Sequence, residues 1–283
     1  MKTKFLLWFF VIMLLPCINV VAKNKVDGRD VVKVPTIMYH RVGEDVNELT
    51  VSTEIFRMHM ETLLENGYTP VSLQELVDYV DDGAVLPEKP VCVTFDDGYT
   101  DNYLYAYPIL KELKCKATIF VIGSSVGKNT YKNTGIPIFP HFDFAQAREM
   151  TESGLISIQS HTYDMHQSKA AEGSEKVREN LMYFIGESLR EYVTALENDV
   201  IIEKTVLENN IGKAVIGMAY PMGRYNGLVE LVLRKNGIRV SFATTEGANY
   251  IKKKDVNSLY SLNRYNMYNS VTAEKLLELL SEE

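Results

Sequence analysis

The chain has 283 residues, 46% apolar and 24% charged, with a formal net charge of −7. This length and composition fit one large domain or two small ones and exclude a mostly disordered chain. A net-acidic surface argues against nucleic acid as a partner, because binding a phosphate backbone demands basic patches.

Residues 1–22 differ in kind from the rest. Lys2 and Lys4 precede an apolar run over residues 5–15, and Val20-Val21-Ala22 offers small residues for signal-peptidase cleavage. The run is short for a membrane span and is followed by Pro16 and Asn19, which favours a cleaved export signal over an uncleaved anchor. The expected location is secreted or cell-surface, with membrane or cell-wall association through the N-terminus if the segment is retained. Cleavage removes two lysines and no acids, moving the formal charge from −7 to −9.

Residues 31–283 read as one unit of alternating strands and helices. Strands are expected at 36–39, 68–71, 91–95, 117–122, 155–159, 214–219, 239–243 and 259–262. Ser52 or Thr53 caps a helix ended by Asn66-Gly67, and His59 on it reads as an ordinary surface or flank residue. Ser72 caps a helix over 73–80, and others follow Tyr99, Asp143 and Thr272. Two more are expected within 174–211, and one over 228–235. Residues 123–143, rich in Gly, Asn, Ser and Pro, form a long loop of the kind that usually carries function. Cys92 lies inside the 91–95 strand and Cys115 just before the 117–122 strand, which is compatible with a disulfide or with two buried thiols. No linker or internal repeat divides the pattern. Repeated βα units of this count imply an α/β fold, a distorted or incomplete (β/α) barrel.

The apolar run 91–95 ends in Asp96-Asp97-Gly98-Tyr99. Two adjacent carboxylates are too costly for an apolar core and belong at the carboxyl end of a strand, where α/β folds place ligands. There one can hold a cation while the other handles a proton. The second segment, Ser160-His161-Thr162-Tyr163-Asp164-Met165-His166, follows the 155–159 strand. Histidines five apart would sit about 140° apart on a helix, but beyond a strand end they can converge. Two imidazoles and one carboxylate leave positions open on a metal, the pattern of a catalytic site. Thr162 and Asp164 are candidates to orient the rings.

These two segments resemble the first two signature motifs of polysaccharide deacetylases, the NodB-homology domains of carbohydrate esterase family four. Tyr39-His40-Arg41-Val42 and Ala219-Tyr220-Pro221-Met222-Gly223-Arg224-Tyr225 add less specific matches. The resemblance implies a distorted (β/α) barrel of the NodB type. It implies that Asp96 is the general base and that Asp97, His161 and His166 hold one divalent metal ion, usually Zn2+. It places Tyr220, Pro221 and Met222 at the substrate and oxyanion, with the main-chain amide of Met222 as donor. Two departures stand out. Ala219 occupies the position of an arginine that orients the base, leaving Arg224 nearby as the candidate replacement. The late Leu-x-x-His of the family reads Leu262-Asn263-Arg264-Tyr265, so either the leaving-group proton comes from another group, with His40 and a metal-bound water as the candidates, or catalysis is weak.

The leading expectation is a secreted, metal-dependent hydrolase that removes N-acetyl groups from polysaccharide containing N-acetylglucosamine. The resemblance is greatest to the branch acting on extracellular poly-N-acetylglucosamine. The alternatives are an O-acetyl esterase on xylan-like glycans and a metal-retaining glycan-binding protein without catalysis.

Overall fold

The computed structural model describes residues 28–132, 134–174 and 177–282; the expected export signal, residues 1–22, lies outside them. In chain order, β1 (Val31–Lys33) precedes β2 (Thr36–Tyr39), β3 (Arg41–Val42) and β4 (Thr50–Val51). Helix α1 (Thr53–Glu65) starts where the Ser52 side chain accepts the Ile55 amide, and it buries Phe56, Met60 and Leu63. Each such burial is worth roughly 1.5–3 kcal/mol. After β5 (Tyr68–Pro70), a Ser72/Glu75 capping box starts α2 (Leu73–Asp82). The central strand β6 (Lys89–Phe95) follows, then α3 (Tyr107–Leu113), β7 (Ala117–Val121), α4 (Phe144–Glu152) and β8 (Ile156–Ser160). A single turn, α5 (Lys169–Glu172), precedes the long α6 (Leu189–Ile211). The chain then gives β9 (Gly217–Ala219), α7 (Gly227–Lys235), β10 (Val240–Phe242), β11 (Tyr250–Lys252), β12 (Tyr265–Asn266) and α8 (Ala273–Ser281).

The main sheet runs β10-β9-β8-β7-β6-β2-β12, with β5 also paired to β6, and all of these pairings are parallel. It curls into a distorted, incomplete barrel of the NodB type. The gap between β10 and β12 is spanned by Leu262, which forms a parallel bridge with Phe242. The side chains of β6 alternate in destination. Val91, Val93 and Phe95 join the cluster between sheet and outer helices, whereas Cys92 joins Phe120, Phe242 and the α2 residues Leu73 and Leu76. A strand buried on both faces is why the sequence there is continuously apolar.

Three local expectations are corrected, and the alternative left open at the cysteines is resolved. His59 is fully buried, between the Tyr39 hydroxyl at 2.9 Å and the Val271 carbonyl at 2.9 Å, so it fastens α1 to the tail. Cys92 and Cys115 are free thiols, and they lie in different core clusters on opposite faces of the sheet. Within 174–211 one long helix starts only at Ser188, whose capping box with Glu191 fixes the boundary just after left-handed Gly186. The strand expected at 259–262 is reduced to the single Leu262 bridge after a 3₁₀ turn over Val256–Leu259, because Ser261 adopts a left-handed φ of 55° that breaks the extended run. Among the described residues, no helix is long and apolar enough to cross a membrane.

Candidate active site

The carboxyl ends of β6 and β8 lie in the same sheet, and the loops leaving them carry the two aspartates and both histidines. Asp96 is still on the strand register, its amide donating to the Tyr39 carbonyl at 2.9 Å. The alternation of β6 aims it into the barrel. Asp97 and Gly98 then take left-handed φ angles of 71° and 84°, turning the chain sharply and separating the two side chains. Gly98 is required twice over, since a Cβ there would lie 2.7 Å from Val121 Cγ1.

Both aspartates are buried, although they sit at the rim. The compensation for Asp96 comes from Arg264, a residue given no role in the sequence expectations. Its guanidinium is fully buried beside Phe120 and Phe242 and donates Nη1 and Nη2 to the two Asp96 oxygens at 2.6 and 2.8 Å. Its Nε donates to the Ala243 carbonyl at 2.8 Å, so the fork is fixed before it meets the carboxylate. Burial alone would raise the Asp96 carboxyl, but the Arg264 charge, helped by His161, holds it well below the ordinary carboxylate range.

Asp97 has no such partner. Its Oδ1 is buried without a hydrogen bond and lies 3.5 Å from His161 Nε2 and 3.8 Å from His166 Nε2. One ligand atom from each of the three residues falls within 4.8 Å of the others. The far nitrogens fix the rings: His161 Nδ1 is 2.8 Å from the Ala219 carbonyl and His166 Nδ1 is 3.1 Å from that of Glu179. A carbonyl only accepts, so each Nδ1 carries the hydrogen and each Nε2 turns a lone pair toward Asp97. Burial pushes His161 down to about 4, leaving the ring neutral, as a ligand must be. At Asp97, burial opposes ionisation, and the surrounding His161, His40 and His166 outweigh it to bring the carboxyl below its ordinary value. An orphaned buried oxygen facing two oriented lone pairs fits a divalent cation.

The other expected residues divide. The Thr162 hydroxyl accepts the Met165 amide, and Asp164 bonds Lys132 and Gln167. Ring orientation therefore falls to main-chain carbonyls, not to these two side chains. Arg224 is exposed in the loop after the Pro221–Gly223 turn and does not serve Asp96, a role Arg264 fills from the opposite edge of the sheet. The buried Tyr220 stacks on Tyr225 and bonds Ser241 Oγ at 2.7 Å, so its hydroxyl is committed away from a substrate. Pro221 is buried, and Met222 is exposed with a left-handed φ of 56°. His40 is half-buried and near enough to act on the charge of both aspartates. A cavity of about 590 Å³ opens beside the triad, lined by Asp97, Tyr99, Tyr131, Phe139, His141 and His166. His141 was not singled out from the sequence because nothing nearby repeats a ligand spacing.

Comparison with known proteins agrees with this geometry. A polysaccharide deacetylase family model matches residues 83–241, more than half of the chain. The chain is 32% identical over 216 residues to YxkH of Bacillus subtilis, covering 76% of this chain and 66% of that protein. It is 30% identical over 226 residues to the poly-beta-1,6-N-acetyl-D-glucosamine N-deacetylase of Escherichia coli K12, covering 75% and 34%. The chain thus spans just under two thirds of the first relative's length and about a third of the second's. Among solved structures, a de-N-acetylase from Aggregatibacter actinomycetemcomitans superposes with a TM-score of 0.73 at 26% identity, covering 88% of this chain and all of that one. IcaB from Ammonifex degensii gives 0.70 at 25%, covering 88% and 97%. The motifs, the curled sheet and the family match lead to one conclusion: the chain belongs to the polysaccharide deacetylase family.

Proposed function

We propose that this chain is a secreted, metal-dependent hydrolase that removes N-acetyl groups from N-acetylglucosamine units of an extracellular or cell-surface polysaccharide. The observation that carries the reading is the pairing of an Arg264-clamped Asp96 with the orphaned Asp97 oxygen between two oriented imidazoles. Asp97, His161 and His166 would hold the metal, and this donor set suits Zn2+. A divalent metal there supplies a Lewis acid for the acetamide carbonyl. Asp96, ionised because of Arg264, takes the proton of the attacking water. The acetamide C–N bond breaks, His40 gives a proton to the departing amine, and acetate is the second product. The Met222 main-chain amide is our assignment for the oxyanion donor. The catalytic unit is residues 31–283, since β2, β12, His40 and Arg264 all lie outside the family-matched segment yet complete the sheet and the site. The activity for which the Escherichia coli relative is named supports poly-N-acetylglucosamine as the polymer class.

Acetate release from N-acetylglucosamine oligomers, compared with acetylated xylan, tests this. The expected result is release from the oligomers that a chelator abolishes and added Zn2+ restores, with little bound metal in His161→Ala. Release from xylan alone would make the chain an O-acetyl esterase, and glycan binding without any acetate would make it a binder. Equal metal content in wild type and His161→Ala would dismiss the triad. Export predicts a mature amino terminus near Lys23, and an intact Met1 on exported protein would point to an anchor.

A further inference from the structure

The two histidines converge because of the loop between them, and that loop is held from outside. Thr162 takes a left-handed φ of 75°, an expensive conformation for a β-branched residue. Two successive amides, those of Tyr163 and Asp164, then point the same way, forming a small concavity for an anion. It is filled by Asp199, 35 residues later on α6. The Tyr163 amide donates to Asp199 Oδ1 at 2.9 Å and the Asp164 amide to Oδ2 at 2.8 Å. Asp199 is buried, so both bonds form away from water.

The opposite side of the loop is tied as well. Gly123 donates to the Thr162 carbonyl at 3.1 Å and Ser124 to the Tyr163 carbonyl at 2.9 Å. One turn along α6, Glu203 is fully buried against this same turn, and a Cβ on Gly123 would lie 1.8 Å from its Oε2. The ligand loop is therefore held both by α6 and by the turn that follows β7, which also touch each other. Its amides meet a carboxylate on one side, and its carbonyls meet amides on the other.

We propose that Asp199 is a positioning residue for the metal site: by clamping the Tyr163 and Asp164 amides it holds His161 and His166 in convergence before any metal arrives. This rests on the triad binding a metal, as proposed above. The residue touches neither substrate nor metal ligand; it acts through the main chain that spaces the two rings. Asn at 199 keeps one accepting oxygen and replaces the other with an N–H donor facing an N–H, so the clamp is lost while the size is kept.

The test is metal affinity by chelator competition with Zn2+, using full-length wild type, Asp199→Asn and Leu207→Ala. Leu207 is a buried apolar residue on the same helix, eight residues or about 12 Å along it from Asp199, and its truncation should lower the thermal midpoint. Expected is a loss of about 10- to 100-fold in affinity for Asp199→Asn, the size seen when outer partners of a metal site are removed. Leu207→Ala should stay within about twofold of wild type. Affinity in Asp199→Asn within twofold of wild type, or an equal loss in Leu207→Ala, would overturn the assignment. Hydrogen exchange on metal-stripped wild type needs no variant. The Tyr163 and Asp164 amides should be protected to the level of α6 amides, and exchange at open-loop rates would overturn the clamp. Wild type that binds no Zn2+ would dismiss the metal reading, while the exchange measurement would still judge Asp199.

Discussion

Two pairs of buried carboxylates flank the ligand loop, and they behave in opposite ways. At the barrel rim, Asp96 and Asp97 are pulled below their ordinary values by Arg264 and the surrounding histidines. Behind the loop, burial pushes Asp199 up to about 6 and Glu203 well above the carboxylate range. The desolvation is similar; the difference is the company. Asp96 meets a guanidinium and Asp97 faces three imidazoles, whereas Asp199 has two amides and the Glu203 oxygens have no hydrogen-bond partner. Burial alone does not make a catalytic acid or base. A counter-charge at Asp96 and an unpaired donor cluster at Asp97 set the rim pair apart from the two acids packed behind the loop.

The sharpest way to break this contrast is at Asp96. Asp96→Asn should retain the metal and lose about 10²- to 10⁴-fold in acetate release, the usual worth of general-base assistance. Metal analysis and acetate assays on the same preparation check both halves. A rate near wild type would move Asp96 from the chemistry to the scaffold, on a par with Asp199.

Arg264 tests the counter-charge itself. Arg264→Ala leaves a buried carboxylate uncompensated and should cost about 3–5 kcal/mol in denaturant unfolding. With the guanidinium gone, the Asp96 carboxyl rises toward the value burial dictates, so the acid limb of the pH–rate profile should move to higher pH. Arg264→Lys keeps the charge but not the fork, and should fall between. An acid limb that does not move would show that Arg264 holds the barrel seam and nothing more.

Much of this was legible in the chain because local chemistry dictates it. An apolar run stopping at Asp96-Asp97 announces a strand end, and two histidines beyond another strand announce its neighbour. The capping residues at 52, 72 and 143 placed three helices. Arg264 was not legible, because it stands 168 positions from Asp96 and only the closing of the sheet at Leu262 brings it inward. The usable signal is that Arg264 is the one charged residue between Asp255 and Glu274, a lone charge in the otherwise uncharged stretch 256–272. Asp199 was hidden for a related reason: on a long helix rich in acids, nothing local separates the one that turns inward. His59 was misjudged because its partners, Tyr39 and Val271, come from distant strand and tail.

Glu203 carries the contrast into stability, with a definite sign. Its carboxyl is raised in the folded protein by burial, with the Asp199 charge adding to it. Below the ordinary carboxylate pKa both folded and unfolded chains hold the proton, and the group is neutral in the balance. Above that value the unfolded chain releases its proton while the folded chain keeps it, so stability falls as pH rises. The slope reaches about 1.4 kcal/mol per pH unit for one such group. Asp199 adds a loss of the same sign between the ordinary range and about 6. Glu203→Gln has nearly the same volume as the protonated acid and removes the titration. Its thermal midpoint should match wild type near pH 4 and exceed it at neutral pH. Midpoints that run parallel across that range would show that Glu203 finds a counter-charge in the folded protein, and the contrast with the rim pair would collapse at this residue.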